Sequence, residues 1–331
     1  MSDEGCIIMT KENGELSSVE MDRAIGVVIG GAVGDALGAG FEFVEAPEPD
    51  EVQMRPATLT GEPAGCWTDD TAMAIAILEV AAQHGTLATD EAASAVGERF
   101  LDWFRTGPGD VGGQISAVLT HAVSNGTVAA SALAVQAKDP ERAGNGSLMR
   151  TGPVALAHLG DEDSLVAAAR TMSSLTHPND YARDACVLWT LAIDDAIRHG
   201  RLTGPRAGLD RIDAVRRQEW DRWITDAETR DPRTFSPNGF VVTALQAAWS
   251  AIYSTRQSDS HFTTGLRQAV AIGDDADTVA AIAGSLLGAA YGVSSIPSEW
   301  RQGLAGWPKK YSEADLVRLA ARVANGGRTY A

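Results

Sequence analysis

Three cysteines in 331 residues (Cys6, Cys66 and Cys186) are too few and too irregularly spaced for a disulfide framework or a thiolate zinc site. Such sparing use of thiols fits a reducing compartment, and a cytoplasmic location is expected. Positive charge is also scarce. The 27 Lys and Arg stand against 44 Asp and Glu, giving a net charge of −17 and a pI near 4.7. Such a surface repels nucleic-acid backbones and anionic membranes, so neither is an expected partner. A small nucleotide-like ligand, held by local N–H groups and a metal, stays open. The chain has no long hydrophobic run. Its least polar stretch, Ala24 to Phe41, is interrupted by Asp35 and diluted by glycines at 26, 30, 31, 34, 38 and 40, which argues against a membrane span. The opening Met1-Ser2-Asp3-Glu4 lacks the basic region of a secretory signal. Alternating β-branched runs of strand type are nearly absent, and no Gly-Lys-Ser/Thr offers a triphosphate-binding loop.

What is present is helical. The 44% hydrophobic and 21% charged fractions are those of a globular protein, and the length suffices for a substantial core. Residues 1–18 read as a polar leader and 19–331 as a single compact all-α domain, expected as a monomer. Apolar spacing predicts a helix from Met21 onward and others over 71–83, 90–105, 112–123, 128–137, 163–175, 180–198, 210–227, 239–255, 264–271, 278–291 and 313–324. Turn chemistry separates them, as in Thr106-Gly107-Pro108-Gly109 and Ser236-Pro237-Asn238-Gly239. Gly26, Gly30, Gly34 and Gly38 recur at intervals of four along one face of the first helix. Glycine weakens an isolated helix, so this stripe predicts close packing of a second backbone. Gly284 and Gly288 repeat the device near the other end of the chain.

Two acidic segments each open a small-residue helix. One is Thr68-Asp69-Asp70-Thr71, and the other is Asp274-Asp275-Ala276-Asp277-Thr278. Either alone reads well as capping, since Thr68 can cap a helix and acids in a first turn complement its dipole. Capping needs one acceptor, however, not three carboxylates in four residues. Brought together, the five acids would repel strongly unless hard divalent cations such as Mg²⁺ or Mn²⁺ neutralised them. Asp275 and Asp277, flanking Ala276, can reach a common ion. Asp69 and Asp70 diverge, which suits two ions. Asp35 lies inside the glycine-rich helix and is either paired or functional. Glu42, between two aromatics, reads as a surface residue at a helix end or as a site acid. Gly144-Asn145-Gly146-Ser147 reads as a plain turn or as an anion nest for phosphate oxygens. His177 begins a turn, where a ligand is reachable, and Asp110 is a loop acid. Cys66 reads as packing, because a thiol suits hard ions poorly.

Five motifs stand in order: Gly34-Asp35-Ala36-Leu37-Gly38, Trp67 to Thr71, Gly144 to Arg150, Thr176-His177 and Gly273 to Thr278. Together they resemble the ADP-ribosylglycohydrolase family across roughly residues 21 to 295. The resemblance implies an all-α orthogonal fold and a centre of two Mg²⁺ or Mn²⁺ ions. By motif, Thr68, Asp69, Asp70, Asp275, Asp277 and Thr278 match its metal ligands, and Asp70 is also taken with the catalytic groups. Glu42 matches a glutamate near the metals, and Asp110 the aspartate of a Gly-Pro-x-Asp loop. The Gly144, Asn145, Gly146 and Ser147 loop matches a pyrophosphate cradle, and His177 a ligand-contacting position. The last motif often reads Gly-Gly-Asp-Thr-Asp-Thr, so Asp274 stands where the family has glycine, without an evident role.

The implied activity is hydrolysis of the bond between the anomeric carbon of ADP-ribose and a modified target. Bound metals would hold ribose hydroxyls and activate water, with oxocarbenium character in the transition state. Glu42 or Asp110 would protonate the leaving group. An arginine-linked ADP-ribosyl protein is the favoured substrate, and other conjugates stay open. The competing readings are a non-catalytic ADP-ribose-binding relative and a metal phosphohydrolase acting on the pyrophosphate.

Overall fold

The computed structural model describes residues 16–307 and 311–326 and is built almost entirely of helices. The first half carries α1 (Ser18–Gly38), α2 (Asp69–His84), α3 (Asp90–Arg105), α4 (Gly113–Asn125), α5 (Val128–Gln136), α6 (Gly152–Ala157) and α7 (Glu162–Ser174). Then follow α8 (Asp180–His199), α9 (Ala214–Thr229), α10 (Val241–Ser254), α11 (His261–Val270), α12 (Ala276–Tyr291), α13 (Ser298–Arg301) and α14 (Glu313–Ala324). A two-residue antiparallel pair, β1 (Ala305–Gly306) with β2 (Tyr311–Ser312), is the one sheet among the described residues.

The helices expected from apolar spacing are present, with ends displaced by a few residues. α6 was not expected, because its six residues are too short to show a period. Residues 204–211 form a separate 3₁₀ turn, so the helix expected over 210–227 starts later, at Ala214. Residues 1–15 of the expected leader lie outside the described residues. At its other end, Ser17 caps α1 in a reciprocal box: Glu20 N–H donates to Ser17 Oγ (3.2 Å) and Ser17 N–H donates to the Glu20 carboxylate (2.8 Å).

The glycine stripe does what its spacing predicts. A Cβ on Gly30 would overlap the Gly284 carbonyl, one on Gly34 the Ala280 carbonyl, and one on Gly38 the Asp277 backbone. α1 and α12 therefore run antiparallel with their backbones in contact. This sets the C-terminal end of α1 beside the first turn of α12. α8 packs across the pair, and its buried Trp189 donates to the Ile282 carbonyl (3.2 Å) and Ser285 Oγ (3.2 Å) on α12. Each large side chain buried here contributes roughly 1.5–3 kcal/mol, which is how a glycine-rich helix pair can be held so close.

Candidate active site

Three helix ends converge at one point. Asp35, one turn before the end of α1, is fully buried. Its carboxylate accepts from the N–H groups of Thr68 (2.9 Å) and Thr71 (3.0 Å) and from the Thr71 hydroxyl (2.6 Å). It thus caps α2 from another helix. Thr68 occupies the N-cap position, but its side chain accepts no backbone N–H of its own helix. Its Oγ1 lies 2.9 Å from Asp35, 3.1 Å from Asp70 and 3.5 Å from Asp277. A hydroxyl has one proton, so Thr68 donates to at most one of these three carboxyl groups. Asp70 Oδ1 is buried without a hydrogen-bond partner among the described residues.

Asp35, Asp70 and Asp277 each bring a carboxylate oxygen within 4.8 Å of the others, and Glu42, Asp275 and Asp277 form a second such group. Asp277 belongs to both. Two like charges at that separation repel by about 3.5 kcal/mol at an effective dielectric constant of about 20. Burial, then this mutual repulsion, pushes Asp277 and Asp70 well above the usual carboxylate range. Glu42 is pushed up to about 9, by burial first and then by Asp110, Asp275 and Asp69. Asp35 rises only to about 6, because its four hydrogen bonds from Thr68 and Thr71 oppose desolvation. A set of hard oxygen donors, one of them orphaned, with no ion-paired Lys or Arg among the described residues, fits divalent metal. The two clusters can hold such ions.

The loops around this floor are tied to it. Asn145 Nδ2 donates to Asp275 (2.7 Å), linking the 144–147 loop to the start of α12. Asn238, fully buried, accepts from Asp275 N–H (3.1 Å) and donates from Nδ2 to the Gly273 carbonyl (3.1 Å). Asp274 does not face the acids. Its carboxylate accepts from Asn238 N–H (2.7 Å), and its φ of +62° lies in the left-handed region. Glycine is the usual residue there and aspartate one of the few others that tolerate it, which accounts for the substitution in this motif.

Above the acids opens a cleft of about 540 Å³, lined by Glu42, Asp69, Asp110, the 144–146 segment, His177, Asp275, Asp277 and Thr278 among others. Asp69 diverges from Asp70 and accepts from Gly112 N–H (3.4 Å) at the start of α4. Asp110 is half-buried, and desolvation and Asp275 raise its carboxyl above the usual range. Thr278 is buried with its hydroxyl toward Met149 (3.7 Å).

The glycine loop differs from the expected nest. Neither Gly144 nor Gly146 has a positive φ. A Cβ on Gly146 would lie 2.8 Å from Ile115 and 3.1 Å from the His177 ring, so the glycines serve close packing. Gly144 and Asn145 already donate their N–H groups, to Gln114 Oε1 (3.2 Å) and the Gly239 carbonyl (3.1 Å). Those of Gly146 and Ser147 have no acceptor among the described residues. The Ser147 hydroxyl points away from the cleft, toward Ser173 Oγ (3.0 Å) and Cys186. Cys66 is half-buried and sits in a backbone bridge to Ala305 rather than in the cleft.

The sequence model of the ADP-ribosylglycohydrolase family matches residues 16–330. The chain belongs to the ADP-ribosylglycohydrolase family. It is 32% identical over 295 residues to the ADP-ribosylarginine hydrolase Tri1 of Pseudomonas putida (strain GB-1), covering 86% of this chain and 75% of that protein. It is 31% identical to the ADP-ribosyl-[dinitrogen reductase] glycohydrolase of Rhodospirillum rubrum (84% and 89% covered). It is 25% identical to the ADP-ribosylhydrolase ARH3 of Bos taurus (90% and 91% covered). A solved structure titled "ADP-ribosylglycohydrolase-related protein complex" superposes with a TM-score of 0.72 at 27% identity, covering 94% of this chain and all of that one. The all-α fold is thus the fold of the family, and the chain is a hydrolase of ADP-ribose glycosidic bonds.

Within this ADP-ribosylglycohydrolase, Glu42, Asp69, Asp110, Gly144, Asn145, Gly146, His177, Asp275, Asp277 and Thr278 line the cleft, Thr68 and Asp70 lie in the acidic floor, and the Ser147 hydroxyl and Asp274 carboxylate turn away. Asp35, Asn145 as a tether and Asn238 were not placed there by sequence reasoning. For Asp35 the signal was a lone acid in a glycine-rich helix. For Asn238 it was no more than an Asn-Gly turn.

Proposed function

We propose that this ADP-ribosylglycohydrolase is metal-dependent and removes ADP-ribose from arginine side chains of proteins, acting as a cytoplasmic monomer through one domain spanning residues 19–331. The observation that carries the metal is the pair of three-carboxylate groups sharing Asp277, with Asp70 Oδ1 orphaned between helix starts. Thr68, Asp69, Asp70, Asp275, Asp277 and Thr278 would hold two Mg²⁺ or Mn²⁺ ions, with Asp35 and Glu42 beside them. When bound, such ions supply positive charge that orients ribose hydroxyls and lowers the pKa of a water.

The chain's own groups do the rest. The free N–H groups of Gly146 and Ser147 and the ring of His177 would take phosphate oxygens, binding a part of the substrate remote from the reacting bond. Glu42 and Asp110 line the cleft and are the two groups able to protonate the departing atom as the glycosidic bond breaks. A guanidine released from the anomeric carbon is basic enough to take that proton even from a carboxyl of raised pKa, and departs as guanidinium. Greater identity to the relatives named for arginine and for dinitrogen reductase than to the cattle protein supports the same linkage.

The test is release of free ADP-ribose from a panel of conjugates, one per linkage, with Mg²⁺, Mn²⁺ or chelator. Arginine conjugates turning over only with metal is the expected result. Turnover that survives chelation removes the metal reading, and preference for a serine or O-acetyl conjugate removes the arginine one. AMP with ribose 5-phosphate as products would point to a pyrophosphate hydrolase, and binding without turnover to a non-catalytic relative.

A further inference from the structure

Arg150 is fully buried and no carboxylate lies within ion-pairing distance of it among the described residues. Its guanidinium stacks over Phe100 (4.5 Å to the ring centre) and touches Met73 Sδ (3.4 Å). Its one oxygen partner among the described residues is Thr176, whose Oγ1 accepts from Nη2 at 2.7 Å. The same Oγ1 lies 2.7 Å from His177 Nδ1. Other bonds hold the two segments together: Ser173 Oγ donates to Ser147 Oγ (3.0 Å), and Gln114 Nε2 donates to the Thr176 carbonyl (3.1 Å).

The direction of this chain follows from donor inventory. A guanidinium has donors and no acceptor, so the Arg150–Thr176 bond has a single polarity. The hydroxyl, already accepting from Arg150, has one proton to give, and Nδ1 is its one acceptor among the described residues. The ring nitrogen that accepts that proton carries none of its own, so in a neutral imidazole the hydrogen is on Nε2. Nε2 has no hydrogen-bond partner among the described residues and sits against the Gly144 and Gly146 backbone, and His177 belongs to the cleft wall.

We propose that Arg150 and Thr176 are positioning residues that fix His177 as an Nε2–H donor facing the cleft, for a phosphate oxygen of the substrate beside the Gly146 and Ser147 N–H groups. The proposal rests on the ADP-ribose reading for the ligand but not for the tautomer. Burial and the charges of Arg150 and Arg142 hold the His177 pKa well below its ordinary value, which keeps the ring neutral as the argument requires. The sequence around the loop makes the arrangement economical. One segment, Gly144 to Arg150, supplies both the backbone donors at the cleft and, behind them, the cation that orders the histidine.

The test uses the full chain labelled with ¹⁵N-histidine. Heteronuclear correlation on the ligand-free wild type at neutral pH should show His177 as the Nε2–H tautomer, whereas an Nδ1–H tautomer overturns the proposal whatever the enzyme's substrate. Thr176→Val should give a mixed or inverted tautomer and bind ADP-ribose roughly tenfold more weakly, the loss of about 1.4 kcal/mol expected of one hydrogen bond. Its KM should rise while kcat changes less than about twofold, because the contact is remote from the reacting bond. Thr176→Ser restores the hydroxyl and should restore both readouts, even if the valine variant folds poorly. A serine variant with wild-type tautomer but valine-like affinity would refute the link between tautomer and binding. If wild type shows the Nε2–H tautomer but no affinity for ADP-ribose, the assignment of the substrate has failed and not the relay.

Discussion

Metal and protons should compete for the same buried carboxylates, and the competition is measurable as stability. Consider the protein stripped with chelator. The Asp35 carboxyl rises from an ordinary 3.8 to about 6 in the folded state. A carboxyl with a folded pKa above its unfolded value keeps its proton in the folded chain at pH values where the unfolded chain has released it. The folded state then binds more protons, so stability falls as pH rises between the two values and stays low above them. For Asp35 the window is 3.8 to about 6, and two units amount to about 3 kcal/mol. With about 2.1 cal/mol/K of unfolding entropy per residue, 331 residues convert that to about 4 °C of Tm. Glu42, Asp69, Asp70 and Asp277 are shifted the same way and add to the fall, with Glu42 extending it toward about 9. Saturating Mn²⁺ should remove the repulsion, and at a hundred times its Kd it adds about 2.7 kcal/mol. The quantity to record is Tm with Mn²⁺ minus Tm with chelator, from calorimetry at pH 5 to 8, since titrations elsewhere in the chain cancel. That difference should be small at pH 5 and grow by several degrees at pH 8. A difference that stays flat, or shrinks with rising pH, would refute the reasoning.

Other outcomes follow from the same geometry. Asp277→Asn, which relieves both acidic groups, should raise metal-free stability by about 1–2 kcal/mol in a chelator melt yet lower turnover by about 10²–10³ or more; a loss of stability would show that the Asp277 carboxylate contributes more through its own contacts than it costs in repulsion. Gly30→Ala forces a methyl into the Gly284 carbonyl, and denaturant titration should register a cost of about 1–3 kcal/mol together with weaker Mn²⁺ affinity. Unchanged metal binding there would mean that the α1–α12 contact does not set the site. At Asp274, glycine should be tolerated within about 1 kcal/mol, whereas valine should cost about 1–2 kcal/mol more by thermal melt, because φ is +62°. Equal effects of the two would rule out backbone conformation as the reason for this residue.

How much of this was legible in the sequence depended on whether the signal is local. Helices announce themselves by apolar period, and the contact between α1 and α12 by glycines every four residues, because both are repeated along one element. The two acidic segments were legible for a similar reason: three carboxylates in four residues exceed what a helix start needs. Asp35 was legible as an acid that must be paired or functional, but its partners, the N–H groups of Thr68 and Thr71, belong to another helix, and a cap supplied in trans has no spacing to read. The same holds for Asn238 and the Asn145–Asp275 bond. The glycine loop shows the converse case. The pattern admits a plain turn or a nest that uses glycine's conformational freedom, whereas at 144 and 146 glycine makes room for the His177 ring and Ile115. Sequence records that a side chain is missing, not which neighbour required it.

The placement of the acids also explains why a charged cluster can persist in a folded chain. Asp70 and Asp277 sit in the first turns of α2 and α12, where unpaired N–H groups and the helix dipole favour negative charge by roughly 0.3–1 kcal/mol each. That is several times less than the repulsion of about 3.5 kcal/mol per pair, so the dipoles alone do not offset it. The remainder falls to protonation or to a cation, and to the rigidity that stops the acids from moving apart. Rigidity is what the α1–α12 backbone contact provides, because sliding one helix along the other would drive glycine Cα atoms into facing carbonyls. The floor is therefore fixed by helices, while the rim is made of loops whose apolar side chains Phe43, Leu59 and Phe240 are half-exposed. Phe43 joins the two layers. It holds a φ of +50° while donating its N–H to the Asp274 carbonyl (2.8 Å), and Glu42 immediately before it turns inward to the floor. Strain of that kind in a bulky residue persists only where its surroundings over-determine it, and here they fix Glu42, which reaches the floor from a loop.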